Sequence, residues 1–200
     1  MNFKDRAIDL LPWAIATLLI AAIVHIVSIL LTPLVAPRDA YARLVDAART
    51  ARTAPGGVAT FEATAPNSQP LPFEDPMMAE GVCLFDLSKG PLHLRTTVDV
   101  DGDDYLGISF HSASGVIFHA MTDRASIKGK VDIVVGNAHQ IAELEADDSE
   151  DAPPQEIRLT APSSRGFAMI RALAKRPSDY ERARSSVEAI VCDIFQPRAP

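Results

Sequence analysis

Hydrophobic and polar positions divide this chain into two unlike parts. From residue 10 to 31 it reads LLPWAIATLLIAAIVHIVSILL, twenty-two positions without one Asp, Glu, Lys or Arg. As a helix rising about 1.5 Å per residue, this stretch reaches roughly 33 Å, enough to cross a hydrocarbon core. Residues 10–32 are therefore expected to form a transmembrane helix, preceded by a cytoplasmic tail over 1–9. A cleaved signal peptide is the competing reading, but its apolar region should run about 7–15 residues and end in a small-x-small site. Here the run is longer, Leu34 is too large for the first small position, and Pro37 would follow the cut. An uncleaved anchor fits better. Trp13 stands where an indole favours the headgroup level, and Pro12 where a missing N–H costs little.

Beyond the anchor the apolar periods are short. Tyr41, Leu44, Val45 and Ala48 fall at i, i+3, i+4 and i+7, one helical stripe. Residues 37–52 read as a juxtamembrane helix after a proline break, with Asp39 placed to cap it. Residues 53–74, rich in Pro, Gly, Thr, Ala and Ser, read as a linker or an extended edge segment, with Phe61 and Phe73 available to tack it down. The main domain spans 75–196. Asp75-Pro76 predicts a short helix through Glu80. Strands are expected over 82–87 and 92–98 around a turn at Lys89-Gly90-Pro91, followed by an acidic turn over 99–104.

Residues 105–121 carry the clearest alternation. Leu106, Ile108 and Phe110 share one face of a hairpin, Tyr105, Gly107, Ser109 and His111 the other, and 112–115 supply the turn. Another strand is expected over 127–135, bent at Lys128-Gly129-Lys130. A helix capped by Asn137 follows through Glu145, then an acidic loop over 147–154 and strands over 156–160 and 166–173. Ser178-x-x-Glu181 reads as the capping box of a last helix, on which Tyr180, Ala183, Val187, Ile190, Val191 and Ile194 lay an apolar stripe. Strands grouped rather than strictly alternating with helices favour an α+β class. The expected architecture is one N-terminal transmembrane helix and a mainly antiparallel sheet domain flanked by helices.

The net charge of −7 belongs to the domain, because Lys4 and Arg6 in the tail balance Asp5 and Asp9. An acidic domain without a basic stripe argues against nucleic acid as a partner and against lying flat on anionic lipid. Arg38, Arg43, Arg49 and Arg52 after the span outnumber the basic residues before it, a bias opposed to export. Long domains, however, translocate largely regardless of such charges. A tail inside and a domain outside remains the expected orientation. In an oxidising compartment Cys83 and Cys192 read as one disulfide, closing a loop of roughly 110 residues and stapling the last helix to the first strand. Two buried thiols in a cytoplasmic domain are the alternative. There is no Cys-x-x-Cys, so a redox motif or zinc ribbon is not supported.

Cys83-Leu84-Phe85-Asp86-Leu87 and Gly90-Pro91-Leu92, the segments 105–111 and 115–121, and Asp123-Arg124 together resemble a known pattern. It is that of the short, single-span bacterial members of the family called domain of unknown function 1254 (DUF1254). Val24-His25-Ile26 and Pro37-Arg38-Asp39-Ala40 fit it too, so the resemblance covers roughly residues 20–195. The chain departs from it at Leu106-Gly107, where Trp-Ser is expected, and at Thr122, where Asn is expected. No activity carries over from this resemblance. It implies a bacterial inner-membrane protein, single-pass, with a periplasmic C-terminal domain, assembled with a related membrane protein.

Candidate chemistry is sparse. His25 is the one ionisable group in the span, and it reads either as a contact for a partner's helix or as a neutral imidazole bonded to backbone or water. His93, His111 and His119 invite a metal reading that hinges on hairpin register: one register puts His119 across the sheet from His111, a shift by one puts both on one face. No acid cluster completes such a site, and half-buried histidines are the plainer account. Asp99, Asp101, Asp103 and Asp104 resemble a calcium loop but lack its terminal glutamate, Phe110 standing there. Ser109, Ser112, Ser114 and His111 hold the atoms of a hydrolase without a nucleophile elbow. Asp123-Arg124 reads first as a clamp on its own loop and second as a receiver for a carboxylate.

No catalytic residue, metal site or cofactor is therefore assigned. Tyr105, His111, His119, Asp123 and Arg124 are the candidate ligand or partner contacts. The leading functional reading is an interaction or structural module in an envelope protein complex, held in the bilayer and paired with another membrane protein through the helix around His25 or through the periplasmic domain. The alternative is a membrane-tethered small-molecule-binding domain or enzyme.

Overall fold

The computed structural model describes residues 3–35, 40–61, 75–99, 104–146, 148 and 155–195. Two compact units result, Met1–Asp39 and Ala40–Pro200. The expected break and cap at Pro37–Asp39, positions 100–103 of the acidic turn and most of the 147–154 loop fall outside the described residues. In the first unit α1 (Phe3–Val35) is one continuous helix. Its segment Leu10–Thr32 is long and apolar enough to cross a membrane and has no buried residue. A membrane span and a signal sequence share those properties.

The second unit is α+β and mainly antiparallel. Helix α2 (Ala40–Thr50) leads to two short strands, β1 (Arg52–Thr53) and β2 (Ala59–Thr60), which pair with each other. Within the segment expected as a linker or extended edge, β2 also pairs with β3 (Met78–Asp86). The helix expected over 75–80 does not form. Asp75 does begin a cap, its Oδ1 accepting the Met77 N–H at 2.9 Å. The chain then turns into β3, which pairs along its whole length with β9 (Arg165–Leu173). Nine residues of ladder outweigh one turn of local helix preference.

β4 (Leu92–Thr97), β5 (Leu106–Ser112), β6 (Ile117–Thr122) and β7 (Lys130–Gly136) follow. β7 starts from a tight turn with Lys128 and Gly129 both at positive φ (52° and 74°), the backbone twist a two-residue hairpin turn requires. Helix α3 (Ala138–Ala146) is capped as expected, and reciprocally: Asn137 Oδ1 accepts the Gln140 N–H and Gln140 Oε1 accepts the Asn137 N–H, both at 2.9 Å. α3 then carries the chain to β8 (Ile157–Thr160), which runs parallel to β7.

The last helix is shorter than its apolar stripe. α4 (Tyr180–Glu188) has Asp179, not Ser178, at its N-cap, and the chain leaves it at Ala189. Val191, Cys192 and Ile194, read from the sequence as helix, lie in β10 (Val191–Ile194), antiparallel to β4. Cys192 consequently sits on a strand, and its disulfide to Cys83, with Cα atoms 6.4 Å apart, joins the two sheets rather than a helix to a sheet.

Those sheets have the orders β1-β2-β3-β9-β5-β6 and β10-β4-β7-β8. Between them lies one apolar core holding Cys83, Phe85, Ile108, Phe110 and Ile170 from the first and Leu92, Leu94, Ile133 and Val135 from the second. Ala183 and Val187 of α4 join it. The opposite face of the six-stranded sheet has a smaller cluster, in which Leu44 of α2 packs on Ala59, Val82, Phe167 and Met169.

Candidate functional site

Strand pairing decides which chemistry-bearing residues meet. Opposite residues of an antiparallel ladder share a face. On the α2 side of the six-stranded sheet, register therefore places Glu80 beside Arg171 and Gly107, then Ser109 beside Met169, then His111 beside Phe167. Tyr105 belongs to the same surface: its hydroxyl lies 2.8 Å from where a Cβ on Gly107 would stand, so the ring covers the glycine. This part of the face is polar and half-open, unlike the part under α2.

Two local pairings organise it. Arg171 donates to the carboxylate of Glu80 at 2.8 Å, and the Glu80 side chain is 8% exposed against 49% for Arg171. His111 stacks on Phe167, with ring centroids 4.6 Å apart and planes within 8°. Its Nδ1 lies 3.3 Å from the Gly115 carbonyl and its Nε2 lies 2.9 Å from Ser109 Oγ. A carbonyl only accepts, so Nδ1 bears the proton and Nε2 accepts from the serine hydroxyl. Burial holds the His111 pKa below its ordinary value, the Gly115 carbonyl opposes this, and the Arg171 charge reinforces it. The imidazole is accordingly neutral near pH 7.

The other sequence candidates lie elsewhere. A bulge between Phe110 and His111 sets His119 opposite Phe110, with ring centroids 6.3 Å apart, and so on the core-side face. His93 belongs to the four-stranded sheet, where Asp132 pairs with its Nε2 at 2.7 Å. The three histidines do not converge, and no group of metal-competent residues occurs among those described. Asp123 and Arg124 start a short 3-10 turn after β6. The expected clamp between their side chains and the loop is not formed among the described residues; the turn is closed by the Ser126 N–H on the Asp123 carbonyl at 3.0 Å. Arg124 is exposed.

Asp123 and Tyr105 instead line a cleft of about 310 Å³ between the ends of β4, β5 and β9 and helix α4. Thr96, Asp99, Asp104 and Arg182 bring polar groups to it, and the Arg182 guanidinium lies 3.5 Å from Asp104. Sequence reading missed Glu80–Arg171 and this role of α4. No local pattern signals a pair 91 positions apart; only the β3–β9 register creates it.

A third feature is the sheet's outer edge. β6 ends the six-strand order, and among the described residues no strand pairs with its outer side. From Ser112 through Thr122 there is no Asp, Glu, Lys, Arg or Pro. Val116 and Ile117 are 62% and 58% exposed, and Ile127, beyond the following turn, is 57% exposed.

Comparison with known proteins adds a family and little else. No curated protein matches the chain. Among solved structures, the VPA0106 protein from Vibrio parahaemolyticus aligns at 13% identity and a TM-score of 0.47, covering 64% of this chain and 33% of its own. An uncharacterised protein from Burkholderia cenocepacia aligns at 15% identity and a TM-score of 0.34, covering 52% of this chain and 28% of its own. The present chain therefore spans about a third of the length of the structures it matches. Residues 76–193, from just before β3 to within β10, match the sequence model described as protein of unknown function (DUF1254), and the chain belongs to that family.

Proposed function

We propose that this protein is a single-span bacterial inner-membrane protein whose periplasmic domain acts as an interaction module in an envelope protein complex. The bare edge at β6 carries the reading. An unpaired edge strand is a template for another chain, and domains that must stay monomeric blunt such edges with charge, proline or a cover. Here the edge has neither charge nor proline, and two exposed β-branched residues stand at its start. The Cys83–Cys192 bond supports an oxidising compartment, and the length of Leu10–Thr32 supports anchoring.

The test is a photo-crosslinking residue at Ile117 of the full-length protein in native membranes, with Glu143 on α3 as control. A defined protein adduct at position 117 and none at 143 is the expected result. No adduct at 117, or equal adducts at both, overturns the reading. In parallel, Cys83 and Cys192 should resist thiol labelling in protein from intact cells, and the mature chain should retain its first 36 residues.

The cleft favours a second reading, a tethered small-molecule-binding domain, because convergent polar groups over an apolar floor are what such sites need. A ligand whose thermal protection of the domain is lost in Asp123→Asn, with position 117 free of adducts, would replace the first reading with the second.

A further inference from the structure

Two polar side chains of α1, His25 and Ser28, stand one turn apart on one helix face. Among the described residues, the side-chain bonds within this helix are those of Thr17 and Thr32, whose hydroxyls donate to the carbonyls of Trp13 and Ser28 at 2.8 and 2.7 Å. His25 and Ser28 have no such partner among the described residues. The same face carries a shallow groove over Ala21, bordered by Thr17, Ile20, Val24, His25 and Ser28. Leu19, Ile23, Ile26 and Leu30, on the opposite side, are all apolar.

Building on the reading that α1 spans the bilayer, we propose that a second copy of this chain packs its own α1 into this groove, His25 against the partner's His25. Polar groups facing hydrocarbon without a bond are costly, so this face needs a polar neighbour. The span holds no Asp, Glu, Lys or Arg, so no charged side chain within it can serve as the complement, and a second helix supplies one. A neutral imidazole both donates and accepts, so it is complementary to a copy of itself. Identical chains insert in the same direction and bring His25 to the same depth without adjustment. Ala21 lets the backbones approach closely, the usual condition for helix pairing in lipid.

The experiment uses the full-length protein in native membranes. Cys83 and Cys192 are bonded to each other, so a cysteine introduced by Ala21→Cys provides the free thiol. Oxidation with copper phenanthroline should give an adduct of twice the chain mass from Ala21→Cys and little from Ile23→Cys. Adding His25→Leu to Ala21→Cys should lower the yield about fivefold, the size expected of one intramembrane polar contact. Equal yields at 21 and 23, no adduct at 21, or an unchanged yield with His25→Leu overturns the proposal. An adduct between position 21 and a different protein also overturns it while leaving the anchored interaction module standing. A mature chain lacking α1 removes both.

Discussion

The two faces of the six-stranded sheet are built from alternate residues of the same strands, yet they do different work. Along β5, Leu106, Ile108 and Phe110 are 7%, 3% and 0% exposed and enter the core between the sheets. Their neighbours Gly107, Ser109 and His111 are half-buried on the other side, where α2 covers the β3–β9 part and leaves the β5–β6 part open. One face is dry and close-packed, so volume errors there are costly. The other satisfies its polar groups pairwise, through Glu80 with Arg171 and Ser109 with His111, and tolerates change wherever water can replace a partner. Stability is concentrated on the first face, and the partner contact proposed above falls at the β6 edge beside the second.

The largest way to test this contrast is Phe110→Ala. It should cost about 3–5 kcal/mol in denaturant unfolding, the usual loss for a buried aromatic ring. A loss below about 1 kcal/mol would show that the inter-sheet core is not as close-packed as described.

Arg171→Gln is the next test, on the polar face. It strands the buried Glu80 carboxylate while the replaced side chain was half exposed. We expect a loss of about 1–3 kcal/mol, with Arg171→Lys recovering part of it. Equal losses for Gln and Lys would place the effect in packing and not in the pair.

The smallest effect concerns pH. Folded His111 titrates below its ordinary value of 6.5. As pH falls through 6.5, the unfolded chain binds a proton that the folded chain resists, so folding loses stability until the folded-state value is passed. Above that window the imidazole is neutral in both states and the contribution is flat. His111→Gln should therefore lose less melting temperature between pH 7.5 and 5.5 than the parent protein does. An identical drop in both would assign the acid sensitivity to other groups.

Much of the fold was legible because local signals and tertiary demands agreed. The strict alternation around Ile108 produced the expected burial pattern, and Asn137 capped α3 where a cap was expected. Asp75-Pro76 and the stripe from Tyr180 to Ile194 were misleading for a common reason. Each is a sound helix signal over one or two turns, and each lies beside a strand that offers a longer ladder, β9 for residues 78–86 and β4 for residues 191–194. The candidate site was half legible. Tyr105 and His111 do share a face, whereas His119 was separated from them by a single bulge. Bulges follow from cross-strand packing and leave no mark in a run such as Val116-Ile117-Phe118-His119.

By itself, the sequence determined those properties that depend on composition and near neighbours: an apolar helix of membrane length, an acidic α+β domain, and the alternating faces of β5. Tertiary structure alone decided the division into two sheets, the meeting of Glu80 with Arg171, the fact that the Cys83–Cys192 bond joins the two sheets, and the side of the sheet that His119 occupies. The reason is physical. Helical period and strand alternation are set within a few residues, while register and sheet partner are set by contacts tens of residues apart, whose free energy belongs to the pair and is not written in either segment.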